Sequence, residues 1–353
     1  MTSRQDAIRR LAEDTTLLPA AEPFTVRFYQ PEDGYGVARL FHAVYGDGYP
    51  LDTFYLPEQL TGENRAGRIR SVVARTEDGQ VVSHIAFYRS SAPNPDLYEF
   101  GLGLTLPAYR PSLAFARCTN LLLSLVEQGC IKAFFGEAVC NHTTTQKLNC
   151  QVGAVECALE PALMPAHAYT AEQSADGRVS CIMAFRADQD HRRPLCIPPV
   201  YHQQLVFLLE GTRLNRELLV ADAGLATGHA IVETVRFSGA GVARCTVRKP
   251  GADLAQQVQR LEEELCRDRY TLLQCFVPLG ESWAGPAVAV LRDQGFFWGG
   301  FLPIWFGNDG LLMQKLFVAP DFDRMRLHTE RGRLIRDLVR ADWEQASCAT
   351  RNR

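Results

Sequence analysis

Alternation and helical spacing divide the chain into short strands and amphipathic helices. Phe24-Thr25-Val26-Arg27-Phe28 alternates with the two-residue period of a strand. Val37, Leu40, Phe41 and Val44 recur at helical spacing behind Asp33, a candidate N-cap. A second helix is expected over about 56–66. The β-rich runs 71–75 and 81–88 flank Asp78-Gly79, which signals a hairpin. A strand over 97–106 leads to a helix over 112–128, stopped by Gly129. A strand over 131–139 leads to a short helix over 143–152, ended by Gly153, and closing strands follow at 155–159 and 179–185. Beyond a charged, proline-rich stretch at 188–199, the pattern predicts a helix over 200–218 and strands at 230–237 and 242–247. Leu254, Val258, Leu261 and Leu265 mark a further amphipathic helix, and 324–345 reads as a final one. Strands interleaved with helices in this order predict a mixed α/β protein.

One pattern occurs twice. Gly153-Ala154-Val155-Glu156-Cys157-Ala158-Leu159-Glu160-Pro161 follows an apolar strand, a polar turn and a short helix. Gly295-Phe296-Phe297-Trp298-Gly299-Gly300-Phe301-Leu302-Pro303 does the same. In both copies a glycine ends the helix, a strand follows, and a proline closes it at the same offset. Upstream, 131–135 and 271–276 are candidate buried strands at nearly equal offsets. A repeated strand–helix–Gly–strand unit predicts two related α/β lobes. The expected division is a tail at 1–21, a first lobe at 22–187, a linker at 188–199, a second lobe with its terminal helix at 200–346, and a tail at 347–353.

Composition narrows the classes of function. A hydrophobic content of 46% with 22% charged residues is that of a globular protein. The net charge of -3 argues against nucleic-acid binding, which needs a clustered positive field. Arg324, Arg326, Arg331, Arg333 and Arg336 read as a solvated helix face. No run reaches the roughly 18 apolar residues of a membrane span, so no membrane partner is expected. The eleven cysteines are odd in number and lack C-x-x-C spacing. They read as reduced thiols in a cytoplasm. His142, His191, His202 and His229 have no metal-ligand spacing, so no metal is expected.

Candidate chemistry begins at Leu104-Thr105-Leu106-Pro107-Ala108-Tyr109-Arg110-Pro111-Ser112-Leu113-Ala114, which joins a strand to a helix. Free amides at a helix N-terminus suit a phosphate or pyrophosphate, and Arg110 adds a cation; an ordinary connection would look the same. With the element order around it, this stretch resembles the strand and pyrophosphate loop of the GNAT superfamily of N-acetyltransferases, where Val-x-Pro-x-Tyr-Arg is common. The helix ending in Gly153-Ala154 is similar to that family's fourth helix, which usually ends in Gly-Phe. Gly295-Phe296 ends the second copy in the same way. The resemblance covers about 24–186 and implies a tandem protein with one fuller and one degenerate lobe, each a mixed, mostly antiparallel sheet with a splayed strand pair flanked by helices.

The resemblance also implies a donor and a mechanism. Acetyl-CoA or a longer acyl-CoA would lay its pantetheine along Leu104, Thr105 and Leu106 and its pyrophosphate on Tyr109, Arg110, Pro111, Ser112, Leu113, Ala114 and Phe115. The amine of a small metabolite would attack the thioester directly. The family loop carries small residues where this chain has Leu113 and Phe115, whose side chains crowd a phosphate. That departure leaves open an acyl-carrier protein as donor, or a non-catalytic scaffold. The usual tyrosine acid is missing unless Tyr109 replaces it, and counting back from Gly153 places His142 and Asn149 near its position. Glu137, at the end of an apolar strand, is either a base or a paired strand-end acid. His142 is either a proton carrier or a helix cap. Cys140 is either an acyl-accepting thiol or a structural one. Asp309 and Gln314 are candidate acceptor contacts. Lys249-Pro250-Gly251-Ala252-Asp253, the second lobe's counterpart of the loop, puts an acid where a phosphate would sit. The aromatic segment 296–306 reads as core, and the assembly as monomer or homodimer.

Overall fold

The alternating segments of the N-terminal third form the antiparallel sheet that their period requires. In this computed structural model, which describes residues 3–20, 22–165 and 177–351, the chain divides into two compact units, Met1–Phe134 and Phe135–Arg353. The first contains α1 (Arg4–Glu13), β1 (Phe24–Phe28), α2 (Gly34–Tyr45), α3 (Pro57–Arg65), β2 (Ile69–Thr76), β3 (Val81–Tyr88), β4 (Leu97–Thr105) and α4 (Ala114–Glu127). Strands β1 to β4 pair consecutively and antiparallel, with Phe24 opposite Thr76, Val72 opposite Ile85 and Phe87 opposite Phe100. The expected hairpin closes at Asp78-Gly79, where Gly79 takes φ +82°.

The first residues are a docked helix and not a tail. Ser3 caps α1 by accepting the Asp6 amide, and Leu11 packs with Ala38 and Tyr55. Asp33 precedes α2 but makes no cap bond to it. Its buried carboxylate instead accepts the Gln30 amide and pairs with Arg27 at 2.9 Å and Arg75 at 3.1 Å. A buried charge is tolerated only with such partners.

The second unit begins within β5 (Ala133–Val139) and continues through α5 (Thr144–Gln151), β6 (Val155–Met164), β7 (Val179–Ala187), β8 (Arg193–Ile197), α6 (His202–Leu209), β9 (Arg216–Val220), β10 (Ile231–Phe237), β11 (Val242–Lys249), α7 (Leu254–Arg267), β12 (Leu272–Pro278), α8 (Ala284–Asp293), β13 (Phe297–Leu302), β14 (Gly310–Leu316) and α9 (Glu330–Arg351). Its large sheet runs β5-β7-β6-β13-β14-β12-β11-β10. The stretch 188–199 contains β8, which pairs in parallel with β9. The helix expected over 200–218 stops at Leu209, just before Gly211 at φ +79°, and 216–220 pairs as β9.

The repeat explains the sheet. The segment β5–α5–β6–β7 corresponds to β12–α8–β13–β14, so the order β5-β7-β6 is mirrored as β13-β14-β12. Gly153 and Gly295 both take positive φ, +77° and +83°, to stop α5 and α8. The two copies meet at one bridge, Ala158 opposite Gly300. These residues stand at corresponding places in the repeat, so the bridge lies on a local pseudo-two-fold axis. Phe296, Phe297, Trp298, Phe301 and Trp305 are all buried, as a core role requires.

Candidate functional site

In the first unit, the pairing of β3 with β4 slips: His84 lies opposite Leu104 and Ala86 opposite Gly101. Leu102 and Gly103 together face Ile85, a β-bulge of the kind that re-aims a strand beside a site. Leu102 takes φ +57°, unfavourable for a leucine. His84 holds this kink. Its Nδ1 lies 2.9 Å from the Leu102 carbonyl oxygen and its Nε2 3.0 Å from the Ser71 hydroxyl. A carbonyl only accepts, so Nδ1 carries the proton and Nε2 accepts from Ser71. Burial pushes the His84 pKa from 6.5 down to about 4.

That shift sets a pH dependence. The folded-state value lies below the free value, so the neutral ring's contribution is complete above pH 6.5 and is lost as pH falls toward 4. Its size is on the order of 3 kcal/mol. Urea unfolding between pH 8 and pH 4 is expected to show this loss in the native chain and a flatter profile in His84→Gln. Parallel profiles would remove His84 as the cause.

The expected donor segment follows the bulge. Thr105 Oγ1 and Ser83 Oγ are 2.8 Å apart, and the Leu106 amide donates to the Val82 carbonyl. Tyr109 turns inward: it is buried, packs edge-on against Phe24 at 6.1 Å, and its hydroxyl accepts the Glu22 amide. Its ring thus lies inside the unit while its hydroxyl keeps its own proton. Arg110 and Pro111 are exposed. Ser112 Oγ donates to the Tyr109 carbonyl and accepts the Ala114 amide, so it closes the turn into α4. Ala114 is buried, whereas Leu113 is 62% exposed. The Phe115 ring packs on the bulge, 2.8 Å from where a Cβ on Gly103 would stand. The amides of Phe115 and Ala116 have no acceptor among the described residues.

An aromatic group that the sequence reading passed over lies on α2 and the turn after it. Tyr49 packs on Phe41 at 4.9 Å, Tyr45 at 5.1 Å and Phe54 at 5.7 Å. Burial first, then the neighbouring Tyr45 and the charge of Glu99 on β4, push the Tyr49 hydroxyl well above its ordinary value. The clustering of Tyr45, Tyr49 and Phe54 around Phe41 was the available signal.

The second unit places the other candidates. Glu137 Oε1 lies 3.7 Å from an Arg244 nitrogen that also lies 3.4 Å from Glu160 Oε1. Arg244 Nε donates to Gln274 at 2.8 Å, and Gln274 Nε2 donates to Glu160 at 2.7 Å. Gln314 Nε2 donates to the Leu159 carbonyl, and its amide oxygen lies 3.4 Å from Gln274 Nε2. Gln314 thus belongs to a buried network and is not an acceptor contact. The Arg244 guanidinium also lies over the rings of Phe237 and Phe276. Six strands meet in this cluster, which separation in the sequence concealed.

The remaining candidates lie around α5 and the turn before β14. His142 Nδ1 lies 3.3 Å from the Thr144 amide, so its ring serves the start of α5. Beside it, buried Gln146 donates to the carbonyls of Val139, His142 and Arg326 and accepts the His328 amide. Asn149 lies over Gly136 of β5, where a Cβ would come within 2.6 Å of its oxygen. Cys140 is buried, and that burial pushes its thiol far above the range of a reactive thiolate. Asp309 is buried against Arg216 and accepts the Ile304 amide, so it anchors β9 and the turn before β14.

Ahead of α7, Asp253 makes no cap bond to the helix amides. Asp253 accepts the Ala230 amide at 2.6 Å, and Gln257 and His229 bond the same carboxylate at 3.0 Å. The Gln257 bond, then the Ala230 amide, hold Asp253 well below the usual carboxylate range. The arginines near the C-terminus are dispersed: Arg324 pairs with Asp321, Arg336 with Asp337, and Arg331 donates to the carbonyls of Glu156, Leu208 and Glu210. Among the described residues no His, Cys, Asp or Glu cluster suits a metal ion, and no helix is long and apolar enough to cross a membrane.

No protein-family model and no curated protein matches the chain. Over about half its length it is similar to solved N-acetyltransferase structures of the GNAT type. A ribosomal-protein-S5-alanine acetyltransferase from Vibrio fischeri aligns at 10% identity over 49% of this chain and 97% of its own, with a TM-score of 0.38. An N-acetyltransferase from Staphylococcus aureus Mu50 aligns at 10% identity over 48% and 100%, with a TM-score of 0.39. A putative acetyltransferase from Salmonella typhimurium, solved with acetyl-CoA, aligns at 16% identity over 48% and 96%, with a TM-score of 0.38.

Proposed function

We propose that this chain is an acyl-CoA-dependent N-acyltransferase of the GNAT type, with a fuller lobe at 22–187 and a degenerate one at 200–346. The observation that carries the reading is the bulge at Leu102-Gly103, held by His84 and followed by a loop into a helix whose first turn keeps unbonded amides. Kinked backbone beside a bare helix N-terminus suits a pantetheine amide followed by a pyrophosphate. The donor is acetyl-CoA or a longer acyl-CoA, lying along Leu104, Thr105 and Leu106, with Arg110, Ser112 and the unbonded amides of Phe115 and Ala116 at the phosphates. The acceptor is the amine of a small metabolite. Tyr45 and Tyr49, with Glu99 on the same strand as the bulge, favour an ammonium that loses its proton before attack.

In the proposed reaction the neutral amine forms a bond to the thioester carbonyl carbon. The C–S bond then breaks, the electron pair leaves on the CoA sulfur, and the proton released from the acylated nitrogen passes to that thiolate. Glu137 takes the ammonium proton, and Arg244 holds its carboxylate in place. Positioning and a backbone amide at the developing oxyanion supply most of the acceleration. The eleven free thiols support a reducing cytoplasmic setting. A second reading keeps the chemistry but takes the acyl group from a carrier protein; exposed Leu113 at the loop favours it, since an apolar side chain there suits a protein surface better than a phosphate.

Calorimetry with CoA, acetyl-CoA and a medium-chain acyl-CoA tests the donor. Saturable binding is expected, weakened about tenfold in Arg110→Ala by loss of one charged phosphate contact. Binding that Arg110→Ala leaves unchanged would move the phosphates elsewhere. No binding of any of the three would overturn the CoA reading and direct the search to acyl-carrier proteins, then to a non-catalytic scaffold.

A further inference from the structure

A cleft of about 450 Å³ opens in the second unit between the end of α5, the end of β7 and the turn after α6, a volume typical of small-molecule sites. Val155, Phe185, Leu214 and Pro303 give it an apolar lining, and its charged groups are Arg186, Asp188 and Arg213. Arg186 and Asp188 neutralise each other through two bonds, at 2.8 and 2.6 Å. Arg213 is exposed and makes no ion pair among the described residues. Its backbone takes φ +29°, unfavourable for a residue with a Cβ. Thr212 pins that turn: it is buried, and its amide and Oγ1 both donate to the Leu209 carbonyl.

The carbonyls around the cleft already have donors. At the end of α5, those of Asn149, Cys150 and Val152 accept the Ala154 amide, the Gly153 amide and Arg186 Nη1. At the end of α6, those of Leu208 and Glu210 accept Arg331. The repeat sets a reference for the charges. Lys315 donates to the Gln294 carbonyl before Gly295 as Arg186 does to the Val152 carbonyl before Gly153. Both are neutralised, Lys315 by Glu262 and Arg186 by Asp188, so Arg213 is a surplus cation. We propose that this cleft binds a small monocarboxylate with an apolar body. One unbalanced guanidinium matches one negative charge, and its fork fits a carboxylate. The body covers Val155, Phe185, Leu214 and Pro303, apolar surface that an inorganic anion would leave in water. None of Arg186, Asp188 and Arg213 serves the proposed acyl transfer, so this site stands or falls apart from that reading.

Calorimetric titration of the full chain with benzoate tests this. Benzamide serves as the uncharged analogue, and inorganic phosphate as the anion without an apolar body. Benzoate is expected to saturate one site, and Arg213→Gln to weaken it about tenfold or more by loss of a charge-assisted pair. Benzamide and phosphate are each expected to bind the native chain about tenfold more weakly than benzoate, or worse. Failure of benzoate to saturate the native chain overturns the proposal, as does binding that Arg213→Gln leaves unchanged. Benzamide binding as tightly as benzoate would reject the charge, and phosphate binding as tightly would reject the apolar body. Circular dichroism checks that Arg213→Gln folds. If it does not, slower amide exchange across 185–188 and 211–214 when benzoate is added to the native chain provides the same test, and its absence rejects the site.

Discussion

Gly300→Ala is expected to destabilise the second unit by roughly 3 kcal/mol or more, among the larger effects of a single methyl group. Gly300 takes φ +141°, a conformation that side chains rarely adopt. An added Cβ would stand 2.4 Å from the Ala158 Cα and from the Cys157 carbonyl oxygen. Both obstacles are backbone, so no rotamer change relieves them. Gly300 and Ala158 also form the one bridge through which β6 and β13 pair, so relaxation would part the two copies of the repeat. The corresponding change in the other copy, Ala158→Gly, only adds chain freedom and is expected to cost about 1 kcal/mol. Urea unfolding of the two variants measures the contrast. Equal, small effects would show that the bridge tolerates separation.

Glu137→Gln is expected to lower kcat by about 10²–10⁴-fold while leaving donor affinity unchanged, if this carboxylate takes the acceptor's proton. The amide keeps the shape and loses only the ability to accept that proton. Steady-state kinetics beside donor calorimetry separates the two readouts. A kcat within twofold of the native value would remove Glu137 from the mechanism. A loss of donor binding would mean that it acts by holding structure. Arg244 sharpens the test, because it faces both Glu137 and Glu160 and is held by Gln274. Arg244→Met is expected to lower kcat, with partial recovery in Arg244→Lys. A purely structural arginine would change stability without changing kcat.

Much of the first unit was legible because its signals are local. The alternation at Phe24–Phe28, the turn at Asp78-Gly79 and the stop at Gly129 each depend on neighbours in the chain. The site was less legible. Tyr109 has the appearance of a ligand contact in the sequence, and the sequence does not show that its ring is buried against Phe24. His84 read as one more strand residue, although it holds the backbone kink on which the donor reading rests. The neighbours of the candidate Glu137, namely Arg244 and with it Glu160 and Gln274, were not legible, since strand neighbours separated by a hundred residues leave no spacing to read.

The sequence by itself determined the mixed α/β class, most elements and the repeat, because period, turn chemistry and helix-stopping glycines are properties of short segments. Only the tertiary structure decided how the copies join, with Ala158 against Gly300, and that β5, β6 and β7 belong to the compact unit of the second copy. It also decided that the Asp253 carboxylate, ahead of α7, is taken up by the Ala230 amide and Gln257. Those outcomes depend on which buried surfaces and unpaired backbone groups find partners far away in the chain, and such choices are settled by packing.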